Sequence, residues 1–396
     1  MCAAIAAARM GAETLLVERQ AYLGGVATTA LFQPWRGFHS LGRQVVTGLG
    51  EEIVARLQAA GGSPGHRVDP LGISLTVTPF DTELLKSVLG EMVDTNKVGL
   101  SLGSRFIKVI LKGKFIDGVA VRRADGDNLL RAGVYIDATG EGNVAIGAGA
   151  GFLKHETSAS YRFSMGPIDE KRLLEYVVKC PHEFSRTPSS TEVPFLSIKG
   201  FASLTRKWHG EAPALAEFDS IQMEGTNRAG EVMISMIELP NVNPDDPDNL
   251  ERTAIRCENL ATKASRFLVG HCPGFEQAAV LTLASEIGFH SIRQILGRMS
   301  ITDSDVLSGR NFKDAVATCA MPGRPDCTFQ VPSEAFRLPA VENLIVTGRA
   351  ILPPTALFAT NSQPASMQLG EAAGRKAVEL NKIFATFRHA DDEKPD

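Results

Sequence analysis

At 396 residues the chain is long enough for two domains. Its 44% hydrophobic and 22% charged content is ordinary for a globular protein. A formal net charge of −4 argues against a nucleic-acid surface, which needs a clustered positive excess. The opening apolar run, Met1 to Ala8, has no basic flank and is far short of a membrane span. No later run reaches spanning length either, so a soluble cytoplasmic protein is expected. The six cysteines form no C-x-x-C pair and no zinc spacing, which points to reduced, mostly buried thiols. The eight histidines are singly placed, and no metal site is expected.

Ala3 to Arg9 is nearly pure alanine with one isoleucine, a composition of the highest helix propensity, and Gly11 is placed to end that helix in the left-handed conformation. Glu13 to Val17 is a short apolar run of buried-strand length, and it stops at Glu18-Arg19. A small-residue helix, a glycine turn and a strand ending in a carboxylate make up the second half of a dinucleotide-binding βαβ unit. In that unit the small residues let the helix pack close to the sheet, and the acidic residue hydrogen-bonds the ribose hydroxyls. The competing reading is a plain alanine-rich surface helix. The first half of the unit, a strand and a glycine-rich turn, would precede Met1. The expectation is therefore a start codon assigned too late or, less favoured, a natural fragment.

Tyr22-Leu23-Gly24-Gly25 is a glycine turn where the backbone can approach a ligand, followed by Val26 to Ala30. Gln33 to Gly42 is an aromatic and basic loop. Gly48 to Ala60 has helical apolar spacing, and Gly61 to Asp69 reads as loop. Asp81 is a good N-cap for a helix whose face is Leu84, Leu85, Val88, Leu89 and Met92. The period then changes. Ser104 to Leu111, Phe115 to Arg123 and Leu129 to Ile136 read as three short strands of a meander. The third runs into Asp137-Ala138-Thr139-Gly140-Glu141-Gly142-Asn143 and a small-residue helix to Ala150, again a place where backbone amides meet a ligand.

From Gly151 to Phe329 the composition is mixed, and this block reads as a domain inserted into the first. Pro240 to Leu250 is an acidic, proline-rich loop, and Ala254 to Val269 a long helix. Ala278 to Met299 mixes apolar residues with His290, Arg293 and Arg298, and His290 is placed on a helix. The chain then returns with a strand, Asn343 to Val346, ending in Thr347-Gly348-Arg349. Pro364 to Gly374 opens a helix with small residues on one face, and proline suits its first turn. The charged tail, Ala390 to Asp396, is expected to be disordered.

This order of parts resembles the FAD-dependent oxidoreductases of the glutathione-reductase-like structural class. It is most similar to the bacterial FAD dependent oxidoreductase family related to fumarate reductase and succinate dehydrogenase flavoproteins. The carriers are AAIAAARMGAETLLVERQAYLGGVATT, VYIDATGEGNVAIGAGA, IGFHSIRQILG followed by ITDSDV, and NLIVTGRAI with ASMQLGEAAG. Together they cover the chain from Met1 to about Leu380.

The resemblance implies an α/β fold: a discontinuous FAD-binding Rossmann-like domain with a β-meander, over 1–153 and 330–385, and an inserted α+β substrate domain over 154–329, before a tail at 386–396. It implies non-covalent FAD. Glu18, with Arg19 beside it, would hold the adenosine ribose, and Gly24, Gly25 and Thr28 would lie along the pyrophosphate and flavin edge. Ala138, Thr139 and Gly140 would pass the adenine-ribose side, and Gly348 and Arg349 would approach the ribityl or phosphate region. The helix opening at Pro364, Ala365, Ser366 and Met367 would point its amino end at the flavin, whose reduced form is negative there.

Three departures stand out: the glycine fingerprint is missing, His290-Ser291-Ile292-Arg293 replaces an Arg-Glu-x-Arg run, and Pro332-Ser333-Glu334 replaces a Pro-Tyr-Arg-like stretch.

The cofactor carries the redox chemistry, so the protein need supply only orientation, electrostatics and a proton donor. The candidates are Arg36, His39, Arg162, His290 and Arg293. An arginine would bind a substrate carboxylate bidentately, and a histidine would shuttle protons near neutral pH. Against these stand a surface ion pair for Arg36 and a satisfied structural histidine for His290. The expected activity is transfer of a hydride or electron pair between a small organic substrate and FAD, with the electron partner and oligomeric state open. A nicotinamide dehydrogenase fits the motif order less well, and no second nucleotide fingerprint is visible. The rival from another class is a cofactor-free protein of the same fold acting as a binding or regulatory module.

Overall fold

The computed structural model describes all residues except 156, 187–194, 212–219, 290–291, 322, 358–361 and 393–396. Helix α1 (Cys2–Arg9) ends at Met10, and Gly11 takes a φ of +86°, the left-handed cap that its position suggested. Strand β1 (Leu15–Val17) follows, then α2 (Val26–Thr29), β2 (Trp35–Arg36), β3 (His39–Ser40), β4 (Arg43–Gln44) and α3 (Leu49–Ala59). After β5 (Arg67–Val68) and β6 (Thr76–Thr78) comes α4 (Thr82–Thr95). Asp81 caps α4 as expected, accepting from the backbone N–H groups of Glu83 at 2.8 Å and Leu84 at 3.0 Å. Strand β7 (Gly99–Ser101) then pairs in parallel with β1.

The meander is β8 (Arg105–Lys112), β9 (Phe115–Arg123) and β10 (Gly126–Leu130), antiparallel in the order β10-β9-β8. The third expected strand divides. Its second half is a separate strand, β11 (Tyr135–Asp137), parallel to a strand near the other end of the chain. The break falls at Arg131 to Gly133, where the Tyr135 hydroxyl accepts from the Ala132 N–H at 2.9 Å. Helix α5 (Asn143–Gly147) and strand β12 (Phe152–Lys154) complete this part.

The middle of the chain is an antiparallel sheet with helices against it. It comprises β13 (Ala159–Gly166), α6 (Glu170–Lys179), β14 (Phe184–Arg186), β15 (Ser197–Gly200), α7 (Ala202–Glu211), β16 (Ile221–Gly225), β17 (Val232–Leu239), α8 (Pro247–His271), β18 (Ala279–Leu283) and β19 (Gly288–Phe289). The strand order is β14-β15-β16-β17-β13-β18, with β19 also pairing with β13. Strand β13 is buried along its whole length, so its two faces both pack, and Phe163, Ile198, Ile234 and Phe267 of α8 share one core. The long helix begins earlier than its composition suggested. Asp246 caps it and Pro247 occupies its first turn, so the end of the proline-rich loop is a helix start. The span 278–299 holds strands, β18, β19 and β20 (Arg293–Ile295), in place of a helix. Short apolar runs of this kind carry no decisive period.

The chain closes with α9 (Asp303–Leu307), the hairpin β21 (Ala315–Ala320) and β22 (Thr328–Pro332), β23 (Leu344–Val346) and α10 (Ser362–Asp392). Strand β23 is the parallel partner of β11, register Asp137 to Val346. The two ends of the chain meet here. A Cβ on Gly374 would fall 2.2 Å from the Ala3 carbonyl oxygen, and one on Gly370 would fall 3.3 Å from the Cys2 Cβ. The tightest approach of the alanine helix is thus to α10. All six cysteines are free thiols, four of them buried. Among the described residues no helix is long and apolar enough to cross a membrane.

Because the Ala3 oxygen is backbone, it cannot yield to a side chain at position 374. Gly374→Ala is expected to cost about 1–3 kcal/mol by forcing α1 and α10 apart. Scanning calorimetry should show the loss as a lower unfolding temperature, and an unchanged one would mean the helices are not clamped here.

Candidate active site at the strand ends

The turns that matter leave the carboxyl ends of the parallel strands β1, β11 and β23. In open α/β sheets that is where a cofactor lies. After β1, the Glu18 N–H donates to the Ser101 carbonyl, and its carboxylate accepts the Gln20 N–H at 2.9 Å. Arg19 and Gln20 both reach Glu286, each at 2.6 Å, which ties this turn to the loop after β18. Gly24 and Gly25 have φ of +119° and +55°. A Cβ on Gly24 would strike the Thr28 side chain, whereas the space beside Gly25 is open. The Thr28 hydroxyl donates to the carbonyls of Leu23 and Gly25, which closes α2 onto the glycine turn.

The turn after β11 is held by Asp137, buried at 1% exposure. Its carboxylate accepts from the Thr139 N–H and hydroxyl and from the Ala145 N–H. The Thr139 hydroxyl in turn accepts the Asn143 N–H, so it is committed to the turn while Ala138 and Thr139 remain exposed. Arg349 staples this turn to the one after β23. It donates to the carbonyls of Gly140 at 3.2 Å and Phe289 at 2.8 Å, and it pairs with Glu141. Burial raises the Glu141 carboxyl above its usual range, and the Arg349 charge pulls it partly back. Gly348, at φ +75°, faces Ser366 of α10, whose hydroxyl would lie 3.9 Å from an added Cβ. In α10, Pro364 and Ala365 are buried and Ser366 and Met367 half-buried.

The structure therefore brings Gly24 to Thr28, Gly140 to Arg349, and Gly348 to Ser366. Arg19 is directed to Glu286 instead. Asp137 was not singled out from sequence, although an Asp two residues before a Thr at a strand end is a turn-forming signal.

The catalytic candidates scatter. Arg36 lies at 1% exposure and pairs with Asp69 at 2.9 Å and with Glu224, while it also reaches Ser197 at 3.4 Å. It is an ion-pair partner, but in the interior, where a surface pair was the expected alternative. Burial alone would lower its pKa, yet the charges of Glu224 and Asp69 outweigh it and raise the guanidinium above its ordinary value. Arg162 on β13 is also buried. It donates to the Gln33 carbonyl at 3.1 Å and stacks over Phe32 at 4.5 Å. Burial, with Arg36 adding repulsion against an opposing Glu224, pushes it down to about 10.

His39 meets Thr76 at 2.9 Å and the edge of His66 at 4.8 Å between ring centroids, and burial followed by His66 lowers its pKa. Arg293, on a strand, pairs with Asp245, approaches Asn143 and lies over Phe152. His290 lies outside the described residues. Sequence reasoning missed Asp69, Glu224 and Ser197. A lone carboxylate in the apolar strand IQMEG was the available signal.

A family model described as FAD dependent oxidoreductase matches residues 1–381. The chain belongs to that family. It is an FAD-linked oxidoreductase, and the cofactor-free module is not favoured. No curated protein matches the chain. Among solved structures it is similar to p-nitrophenol 4-monooxygenase PnpA from Pseudomonas putida DLL-E4, at 10% identity and a TM-score of 0.51, over 99% of this chain and 80% of that one. Two others are the flavin-dependent brominase Bmp2, at 11% identity and 0.47 over 97% and 76%, and a geranylgeranyl bacteriochlorophyll reductase-like protein from Thermoplasma acidophilum, at 12% and 0.46 over 97% and 76%. At such identities the likeness to PnpA concerns the fold alone. The open space beside Gly25, at the start of α2, and the exposed residues Ala138 and Thr139, after β11, fit an extended cofactor laid across them.

Removing the cation of the buried triad leaves two buried carboxylates without a countercharge. Arg36→Met is expected to destabilise the protein by about 3–5 kcal/mol. Urea unfolding followed by tryptophan fluorescence should show it, since Trp35 is the adjacent residue. An unchanged midpoint would mean the triad contributes nothing to the fold.

Proposed function

We propose that FAD lies across the turns after β1, β11 and β23, and that a small organic molecule exchanges a hydride or electron pair with it against the antiparallel sheet. One observation carries this reading: segments far apart in the chain meet at the carboxyl ends of the parallel strands. Glu18 would take the ribose, and Gly24, Gly25 and Thr28 the pyrophosphate and flavin edge. The backbone of Ala138, Thr139 and Gly140 would take the adenine-ribose side, because the Thr139 hydroxyl already serves Asp137. Gly348 and the first turn of α10, Pro364 to Met367, would face the flavin, where a helix amino end favours negative charge. Arg349 would act as the staple between two of these turns, and Arg19 as a tether to Glu286. Bound FAD supplies the redox step itself.

In this reading 1–153 with 330–385 form the cofactor domain and 154–329 the substrate domain. The motif order supports placing the chain near the fumarate reductase and succinate dehydrogenase flavoproteins. Of the catalytic candidates, Arg162 has the most support, since Gln33 and Phe32 connect it to Gln363 at the start of α10. Arg36, His39 and Arg293 enter as positioning groups. The free thiols fit a reducing compartment, for which we propose the cytoplasm.

Loss of the Glu18 carboxylate should weaken FAD about tenfold, the worth of one charge-assisted hydrogen bond. Quenching of flavin fluorescence on titration measures it, with exposed Asp127→Asn as the control. Equal affinity in Glu18→Ala would remove Glu18 from the site.

A further inference from the structure

The β8-β9-β10 meander has one face against the core and one open to solvent. Its register sets Val109, Val119 and Leu130 in one row and Lys108, Ala120 and Leu129 in the next, and successive rows of a sheet face opposite ways. The first row packs into the core with Ile116 and Val121. On the other face Leu129 spreads over Gly118, where an added Cβ would fall 2.7 Å from the leucine Cδ1. Ile110, the register partner of Gly118, stands beside it, and both Ile110 and Leu129 are exposed.

The β8–β9 turn carries the same apolar character to a tip. Leu111-Lys112-Gly113-Lys114-Phe115 is exposed throughout, with Leu111 at 46% and Phe115 at 42%. Gly113 has a φ of +59°, and a Cβ built on it would meet nothing within 4 Å, so the turn projects clear of the body. The Phe115 ring meets Phe384 of α10 edge-on at 5.3 Å, and exposed Lys382 and Ile383 continue the patch. Clustered exposed apolar side chains of this kind mark a surface that binds something.

Charge selects the occupant. Residues 104–131 carry seven Lys or Arg and three Asp, in a chain whose net charge is −4. The three carboxylates are taken: Asp127 pairs with Arg122, Asp125 with Arg123 and Asp117 with Arg131. Among the described residues Arg105, Lys108, Lys112 and Lys114 form no ion pair, and all four lie on β8 or its turn. Aliphatic groups interleaved with unpaired cations match an anionic lipid surface, where the first enter the interface and the second meet the headgroups. A second copy of the chain would set these cations against themselves. An acidic protein would need a broad complementary patch, of about 800 Å² on each side, and a projecting hairpin turn presents none.

We propose that the meander docks the protein reversibly on an anionic membrane surface, with Leu111 and Phe115 entering the interface and Lys108, Lys112 and Lys114 on the headgroups. The protein lies on the bilayer and does not span it. The inference goes beyond the proposed function and does not rest on it, because none of these residues belongs to the strand-end turns.

The test is co-sedimentation of the full chain, incubated with FAD, with vesicles of phosphatidylcholine alone and of phosphatidylcholine with about 30% phosphatidylserine. Only the anionic vesicles should carry the protein down, and raising the salt from about 0.1 to 0.5 M should release it, as screening shortens. The double variant Lys112→Gln/Lys114→Gln should bind about thirtyfold more weakly, five- to sixfold for each charge. Leu111→Ser should bind about tenfold more weakly through lost insertion. Both changes are at exposed positions, and a thermal melt matching the parent's shows that the fold is kept. Absence of binding, equal binding to both vesicles, or binding untouched in both variants would overturn the proposal. Binding weakened by the lysine changes but not by Leu111→Ser would overturn the insertion. Retention on immobilised polyglutamate without any vesicle binding would overturn the lipid and point to an acidic protein.

Discussion

Burial of Arg36 between Asp69 and Glu224 ties the aromatic loop of the first part of the chain to strand β16 of the antiparallel sheet. Taking three charges out of water is expensive, and only tight pairing in a low dielectric offsets it. The arrangement therefore specifies where the two parts sit more strongly than it stabilises either. Asp69 also accepts the N–H groups of Leu71 and Ser74, so a loop without regular structure is fixed around the same carboxylate. Arg162 and the Gln33 segment lie beside this triad, and the candidate site inherits its geometry from it.

Backbone proximity supplies the second constraint. Gly374 lets α10 meet α1, and Gly48 lets the Glu371 carboxylate reach the Leu49 N–H at 2.7 Å. That carboxylate caps α3 from another helix, where a negative charge at an amino end is favourable. Trp35 stacks on Phe80 at 4.1 Å and donates to Gln363 at 2.8 Å, which fixes the start of α10 against the sheet interface. The end of the chain thus reaches the site through three independent contacts.

Much of this was legible in the sequence because its causes are local. The alanine run, Gly11, the Asp81 cap and the small-residue face of α10 each declare themselves within a few residues. The strands of 278–299 were not legible, since a short apolar run satisfies either period until its neighbours are known. The start of α8 was hidden by loop-like composition, although Asp246-Pro247 is a capping signal. The Arg36 triad was out of reach, because Glu224 is 188 residues away and pairing at that distance leaves no local pattern. The same holds for Arg349, whose partners Gly140, Glu141 and Phe289 come from two other turns.

The central claim is that these strand-end turns hold FAD. The most direct measurement is the visible absorption of the purified chain after incubation with FAD and gel filtration. The account predicts a flavin spectrum that travels with the protein in near one-to-one amount. A colourless protein eluting apart from the flavin would contradict it.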